Sequence, residues 1–168
     1  MIVPGAIHLQ ARALNRQAFA PYGDVIDRAQ GLAADMNDAR FARYQGLARV
    51  SHAADAAAVI SIAECLTPSQ LPYAIRLMER HPHSSQAFIP LAQTPFYVVV
   101  APPGEAPEAD ALQAFVSDGT QGINYFAGTW HMPLIALHAG QRFLVVDAEE
   151  SRPNCDEFEL TANVWLAS

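Results

Sequence analysis

Residues 79–86, ERHPHSSQ, bring a carboxylate (Glu79), a guanidinium (Arg80), two imidazoles (His81 and His83) and a carboxamide (Gln86) close together, and His131 follows Gly128 by three positions in GTWH. Two imidazoles, a carboxylate and an amide oxygen form a donor set that suits nickel, zinc or manganese. Without a metal the same groups offer a base and an acid near neutral pH. Side chains alternate along an extended chain, so Tyr73, Ile75, Leu77, Glu79 and His81 should share one face and Arg76, Met78 and Arg80 the other. Polar groups on an apolar inward face are costly unless partnered, which points to a pocket around Glu79 and His81. Pro82 biases His81 towards extended backbone, a purely structural effect.

The spacing is similar to that of cupin barrels, which bind one divalent metal through two inward histidines two residues apart, a later acid, and a third histidine after a Gly-containing turn. Taking HPH as the pair fails, because the acid's position falls on Ala87 or Phe88. Taking Glu79 and His81 as the pair places Gln86 and His131 in register, giving a modified metal set of Glu79, His81, Gln86 and His131. A single buried histidine is more often a hydrogen-bonded core residue than a ligand. Three polar residues in one register favour a shared pocket instead. His83 falls off register and is expected in a solvent-facing loop; His8, His52 and His138 have no companions; Trp130 is expected in the packing of the barrel.

The elements that must hold these residues are mainly strands. Asn15 can cap a short helix over Gln17–Phe19 that Pro21 and Gly23 end. Strands are expected around 41–50, 58–65 and 73–81, then in AFIPL and FYVVVA, the last apolar enough for burial on both faces. ALQAFVSDGTQGINYF reads as a hairpin turning at Asp118-Gly119. TWHMPLIALHA, RFLVVDAE and FELTANVWLAS complete the set. Short strands at roughly ten-residue spacing with few helices indicate an all-β, cupin-like barrel of jelly-roll type with one or two short helices.

The chain has 168 residues, 51% of them hydrophobic and 16% charged, enough for one domain spanning 1–168 with a full core. A formal charge of -7 and the lack of any lysine argue against a nucleic-acid partner. No run of eighteen apolar residues and no secretory leader pattern occur, so neither a membrane partner nor export is expected. Only Cys65 and Cys155 are present, which fits a reducing, cytoplasmic setting.

AFAPYGDVI, ERHPHSSQAFIPL, FYVVVAPPG, LQAFVSDGTQGINYFAGTWHMPL and FLVVDAEESRPNCDEFEL, in this order, resemble the ureidoglycolate lyases of allantoin degradation. The resemblance implies a cupin-like homodimer that cleaves (S)-ureidoglycolate to glyoxylate and urea, with nickel as the associated metal. It carries over to Glu79, Arg80, His81, Gln86, Asn124, Tyr125, His131 and Asn154. Glu79, His81 and His131 are the expected catalytic groups; Arg80, Gln86, Asn124 and Tyr125 are expected to bind substrate. Two positions depart from the family: Gln113 replaces the arginine of LRAF, and Met132 replaces the second histidine of WHHPL. Alternation turns Met132 away from the side of His131. Cleavage needs a base for the substrate hydroxyl and an acid for the departing urea nitrogen; either histidine can take the first role, with Glu79 assisting the second. Two other readings remain: an amidohydrolase that releases ammonia, for which an activated water makes a metal close to obligatory, and a non-catalytic module that binds a small acid.

Overall fold

The computed structural model describes residues 5–149 and 152–167. In chain order its elements are β1 (Ile7–Leu9), β2 (Arg12–Ala13), helix α1 (Arg16–Phe19), β3 (Gly23–Ile26), β4 (Leu32–Met36), β5 (Phe41–Gln45), β6 (Ala57–Glu64), β7 (Tyr73–Arg80) and β8 (Gln86–Pro90). Then follow β9 (Phe96–Ala101), β10 (Gln113–Ser117), β11 (Gly122–Tyr125), β12 (Trp130–His131), β13 (Ile135–Ala136), β14 (Arg142–Glu149) and β15 (Asp156–Leu166), with single 3-10 turns at Arg28–Gln30 and Ala109–Ala111. A large sheet runs β1-β15-β7-β12-β9-β10-β2, with β13 also on β9, and a second runs β3-β11-β8-β14-β6. The all-β, cupin-like expectation is met, and the one α-helix starts as expected, with the Asn15 side chain accepting from Ala18 N at 2.9 Å. No helix is long and apolar enough to cross a membrane among the described residues.

Phe96, Val98, Val100 and Phe115 of the large sheet meet Val25, Ile123, Tyr125 and Phe143 of the second in one apolar cluster, so the first core lies between the sheets. The intervening residues Val99, Ala101 and Ala114 join Trp130, Met132, Ile75, Met78 and Leu166 in a second cluster on the other face of the large sheet. This period-two division is why FYVVVA has no polar position: both of its faces are buried.

Three expectations change. The segment from Gln113 to Tyr125 is not a hairpin: β10 pairs with β9 and β2, whereas β11 pairs with β3 and β8. Residues 118–121 are instead a corner between sheets, where Gly119 has φ +90° and a Cβ would lie 2.3 Å from Thr94 N. A turn signal reports a reversal of the chain; it does not say which strands then pair. The strand begun at Phe41 stops at Gln45, and the following residues cross the second sheet, with Ser51 and Ser85 joined by Ser85 N to Ser51 O at 2.9 Å and Ser51 N to Ser85 Oγ at 2.9 Å. Strict alternation along β7 also fails: Ile75 and Met78 share the second cluster, next to a register shift in β15 between Glu159 and Val164. A bulge of this kind re-aims side chains on the strand beside it.

Candidate active site

Strand β12 has only two residues, yet it pairs on both sides: His131 lies opposite Glu79 of β7 and Val100 of β9. Trp130 and Met132 therefore pack into the second core while His131 turns inward, as alternation required. On the facing sheet, Gln86 of β8 is in register with Tyr125 of β11. His81 lies just beyond the end of β7. The sheets thus bring Glu79, His81, Gln86, Tyr125 and His131 together from four strands and a loop.

Two backbone devices hold His81. Gly128, at φ +80°, donates its N–H to His81 O at 2.8 Å, so the turn that launches β12 is tied to the end of β7. Asn154 accepts from His83 N at 2.8 Å through Oδ1 and donates from Nδ2 to Ser84 Oγ at 2.7 Å. Its carbonyl oxygen lies 2.6 Å from His81 Nδ1. His131 Nδ1 is likewise 2.9 Å from Thr129 O. A carbonyl oxygen can only accept, so each Nδ1 carries the proton and each Nε2 presents a lone pair.

The two rings lie 5.3 Å apart, and the Tyr125 ring stacks on His131 at 4.1 Å with an interplanar angle of 14°. His81 Nε2, His131 Nε2, Gln86 Oε1 and the Tyr125 hydroxyl are all buried without a hydrogen-bond partner. Such atoms are costly to leave unpaired, and four around one space mark a place built for something else to bind.

His131 Nε2 is 3.5 Å from Glu79 Oε1. Two lone-pair donors do not attract one another, so a proton or a cation belongs between them. The close approach of His131 is the main cause that holds the Glu79 carboxyl below its ordinary 4.5; burial opposes it, and the charges of His131 and His81 add to it. Burial, and then the charge of Glu79, push the Tyr125 phenol well above 10.0, so it keeps its proton.

The donor atoms of Glu79, His81 and His131 lie within 4.8 Å of one another, and the orphaned Gln86 Oε1 belongs to the same space, so the set fits a divalent cation. Glu79 also groups with Cys155 and Glu157. Burial and the neighbouring acids Glu79, Glu157 and Asp156 raise the Cys155 thiol above its ordinary value, which leaves it the weaker ligand. Glu79 and Gln86 line a cavity of about 320 Å³, whereas Gln86 and His81 line another of about 300 Å³.

Two expected substrate contacts are not brought here. Arg80 bonds Asp156 Oδ2 at 2.8 Å, bonds Gly104 O, and lies over the Trp130 ring at 4.6 Å, because it projects to the face opposite Glu79. Asn124 precedes Tyr125 on β11 and so faces the other side, where its Nδ2 donates to Asp24 Oδ2 and Arg49 O, both at 3.1 Å. Gln113 accepts from Arg12 at 2.9 Å and lines neither cavity. His83 is half-buried rather than solvent-facing, since its backbone is held by Asn154. The sequence reading did not find the carbonyl oxygens of Thr129 and Asn154 that set both tautomers, and no residue type signals a backbone acceptor.

The family model for ureidoglycolate lyase matches residues 6–167. A ureidoglycolate lyase of Stutzerimonas stutzeri is 46% identical over 161 residues, covering 94% of this chain and 93% of its own. One of Burkholderia cepacia is 45% identical over 153 residues, covering 90% and 86%, and one of Azotobacter vinelandii is 43% identical over 152 residues, covering 89% and 90%. With a matching family model across nearly the whole chain and relatives of this identity, the chain belongs to the ureidoglycolate lyase family.

Proposed function

We propose that this chain cleaves ureidoglycolate to glyoxylate and urea, the activity for which its relatives are named. The observation that carries the reading is the pair of imidazole Nε2 atoms, both buried and unpartnered, with Glu79 against one of them. The substrate carries a hydroxyl, a carboxylate and a ureido nitrogen on one carbon. A base must take the hydroxyl proton while the carbonyl forms, the C–N bond breaks, and the electron pair moves to nitrogen, which takes a proton and leaves as urea.

The geometry divides these tasks unequally. His81 Nε2 is the base, its lone pair fixed by the Nδ1 proton bonded to Asn154 O. His131 Nε2, the nitrogen that faces Glu79, is the site that passes a proton to the departing nitrogen. Glu79, whose carboxyl is held below its ordinary value, faces that nitrogen and stabilises positive charge passing through it instead of acting as the acid. The Gln86 carbonyl accepts from the ureido N–H groups, and the Tyr125 phenol offers one donor. Glu79, His81, Gln86 and His131 would hold a divalent metal, nickel by family resemblance, which when bound supplies Lewis-acid stabilisation of negative charge on the substrate oxygen. The same reading makes the protein a single-domain, cytoplasmic homodimer.

The test is to incubate purified protein with racemic ureidoglycolate, with and without chelator, and follow both urea and ammonia. Stoichiometric urea supports the reading, and its loss on chelation adds the metal. Ammonia in place of urea would indicate the amidohydrolase, and glyoxylate binding without consumption of ureidoglycolate a binding module.

A further inference from the structure

We propose that Arg152 binds the carboxylate of the substrate and so fixes the direction in which ureidoglycolate lies across the site. This rests on the cleavage reading above. The carboxylate needs a cationic partner, and in a chain without lysine that means an arginine or a metal. The cavity of about 320 Å³ is lined by two acids, Glu64 and Glu79, and by no arginine or histidine, so an anion is repelled from it. The cavity of about 300 Å³ on the other side of Gln86 is lined by His81, Asn154 and Arg152, with Asp147 the one acid in its lining among the described residues.

Among the described residues, Arg152 is the one arginine in the lining of either cavity. Of the alternatives, Arg80 projects to the face opposite Glu79, over the Trp130 ring, and Arg76 lines a different cavity with Met132. A guanidinium presents two parallel N–H donors that match both oxygens of a carboxylate. With the carboxylate at Arg152, the hydroxyl lies beside His81, which lines the same cavity. The ureido group then reaches past Gln86, shared by both cavities, to Glu79 and His131. Carboxylate, hydroxyl and ureido group are thereby held at three different places around one carbon, an arrangement that admits one hand of the substrate.

The experiment compares wild type with Arg152→Met and Arg152→Lys, all checked for an unchanged melting temperature. Binding of oxalate, a turnover-free dicarboxylate probe, is measured by calorimetry, and KM and kcat are measured with ureidoglycolate. Losing a charge-assisted pair should weaken oxalate binding and raise KM by roughly 10- to 100-fold in R152M, with kcat falling less than KM rises. R152K should recover part of both, as a point charge without the planar fork. Oxalate affinity and KM within about twofold of wild type in folded R152M would overturn the assignment, since that is less than half a kcal/mol of interaction by the tenfold-per-1.4 rule. If wild type releases no urea, the cleavage reading fails, and the oxalate comparison still decides the role of Arg152. Should R152M not fold, R152K alone decides it: undiminished oxalate affinity and KM count against the assignment.

Discussion

The apolar cluster around Phe115 and the polar cluster around His131 are held between the same two sheets, and Tyr125 belongs to both. On one side, Phe19 meets Phe115 edge-on at 5.4 Å and Phe96 meets Phe143 at 5.1 Å, with Phe19, Phe96 and Phe115 fully buried. On the other, four buried polar atoms have no partner. The first region is arranged so that every contact favours the folded state. The second carries desolvation costs that only a ligand, metal or proton can offset, and it keeps its shape because strands fixed by the first region leave it no choice.

The comparison breaks if substitutions in the two regions have the same kind of effect. Phe115→Ala should cost about 3–5 kcal/mol of stability by loss of transfer energy and creation of a cavity, measured by chemical denaturation. Any activity lost should return under conditions that restore folding. His131→Ala should instead leave folding close to wild type and lower turnover by about a hundredfold or more, roughly 2.7 kcal/mol in the barrier. Near-normal urea release by H131A would remove His131 from the mechanism and reduce its cluster to an oddly packed part of the core.

The apolar region was the more legible in the sequence, because it is written in periodicity. Phe96 to Val100 reads as a strand buried on both faces, and Asn15 as a helix cap, from local pattern alone. The site was legible in part: the spacing of Glu79, His81, Gln86 and His131 marked residues that do converge. Arg80 and Asn124 were drawn in by lying beside such residues in matching phrases, and alternation carries each to the opposite face. Arg152 could not be seen, since its nearness to His81 depends on β14 and β15 bringing a distant loop beside the end of β7. The hairpin misreading has the same origin: the corner at 118–121 was visible, the partners of its strands were not.

The comparison sharpens at Glu79, whose ionised form the fold prefers. A carboxyl held below its ordinary value contributes stability above the unfolded value, and that contribution is lost as pH falls through the folded one. The stability difference between wild type and Glu79→Gln should therefore shrink on going from about pH 6 to about pH 3, a range that spans unperturbed carboxyl titration. Parallel measurements on both proteins cancel the titration of the other acids. A difference that grows on acidification would mean that burial, which opposes the shift, outweighs the interaction with His131.

Tyr125 gives the smallest and most discriminating effect, because one side chain serves both regions. Its ring packs with Phe19 and Phe88 at 6.2 Å each and stacks on His131, while its hydroxyl has no partner. Tyr125→Phe keeps the ring and removes only the unsatisfied group. Stability should stay level or rise by up to about 1 kcal/mol, since an unpaired buried hydroxyl carries a desolvation penalty. If the phenol donates to the substrate, KM for ureidoglycolate should rise roughly tenfold, the worth of one buried hydrogen bond. A variant that is more stable and binds less well is what a core residue lent to the site predicts. One that loses stability shows that the hydroxyl is already satisfied in the free protein, and Tyr125 would then belong to the apolar region alone.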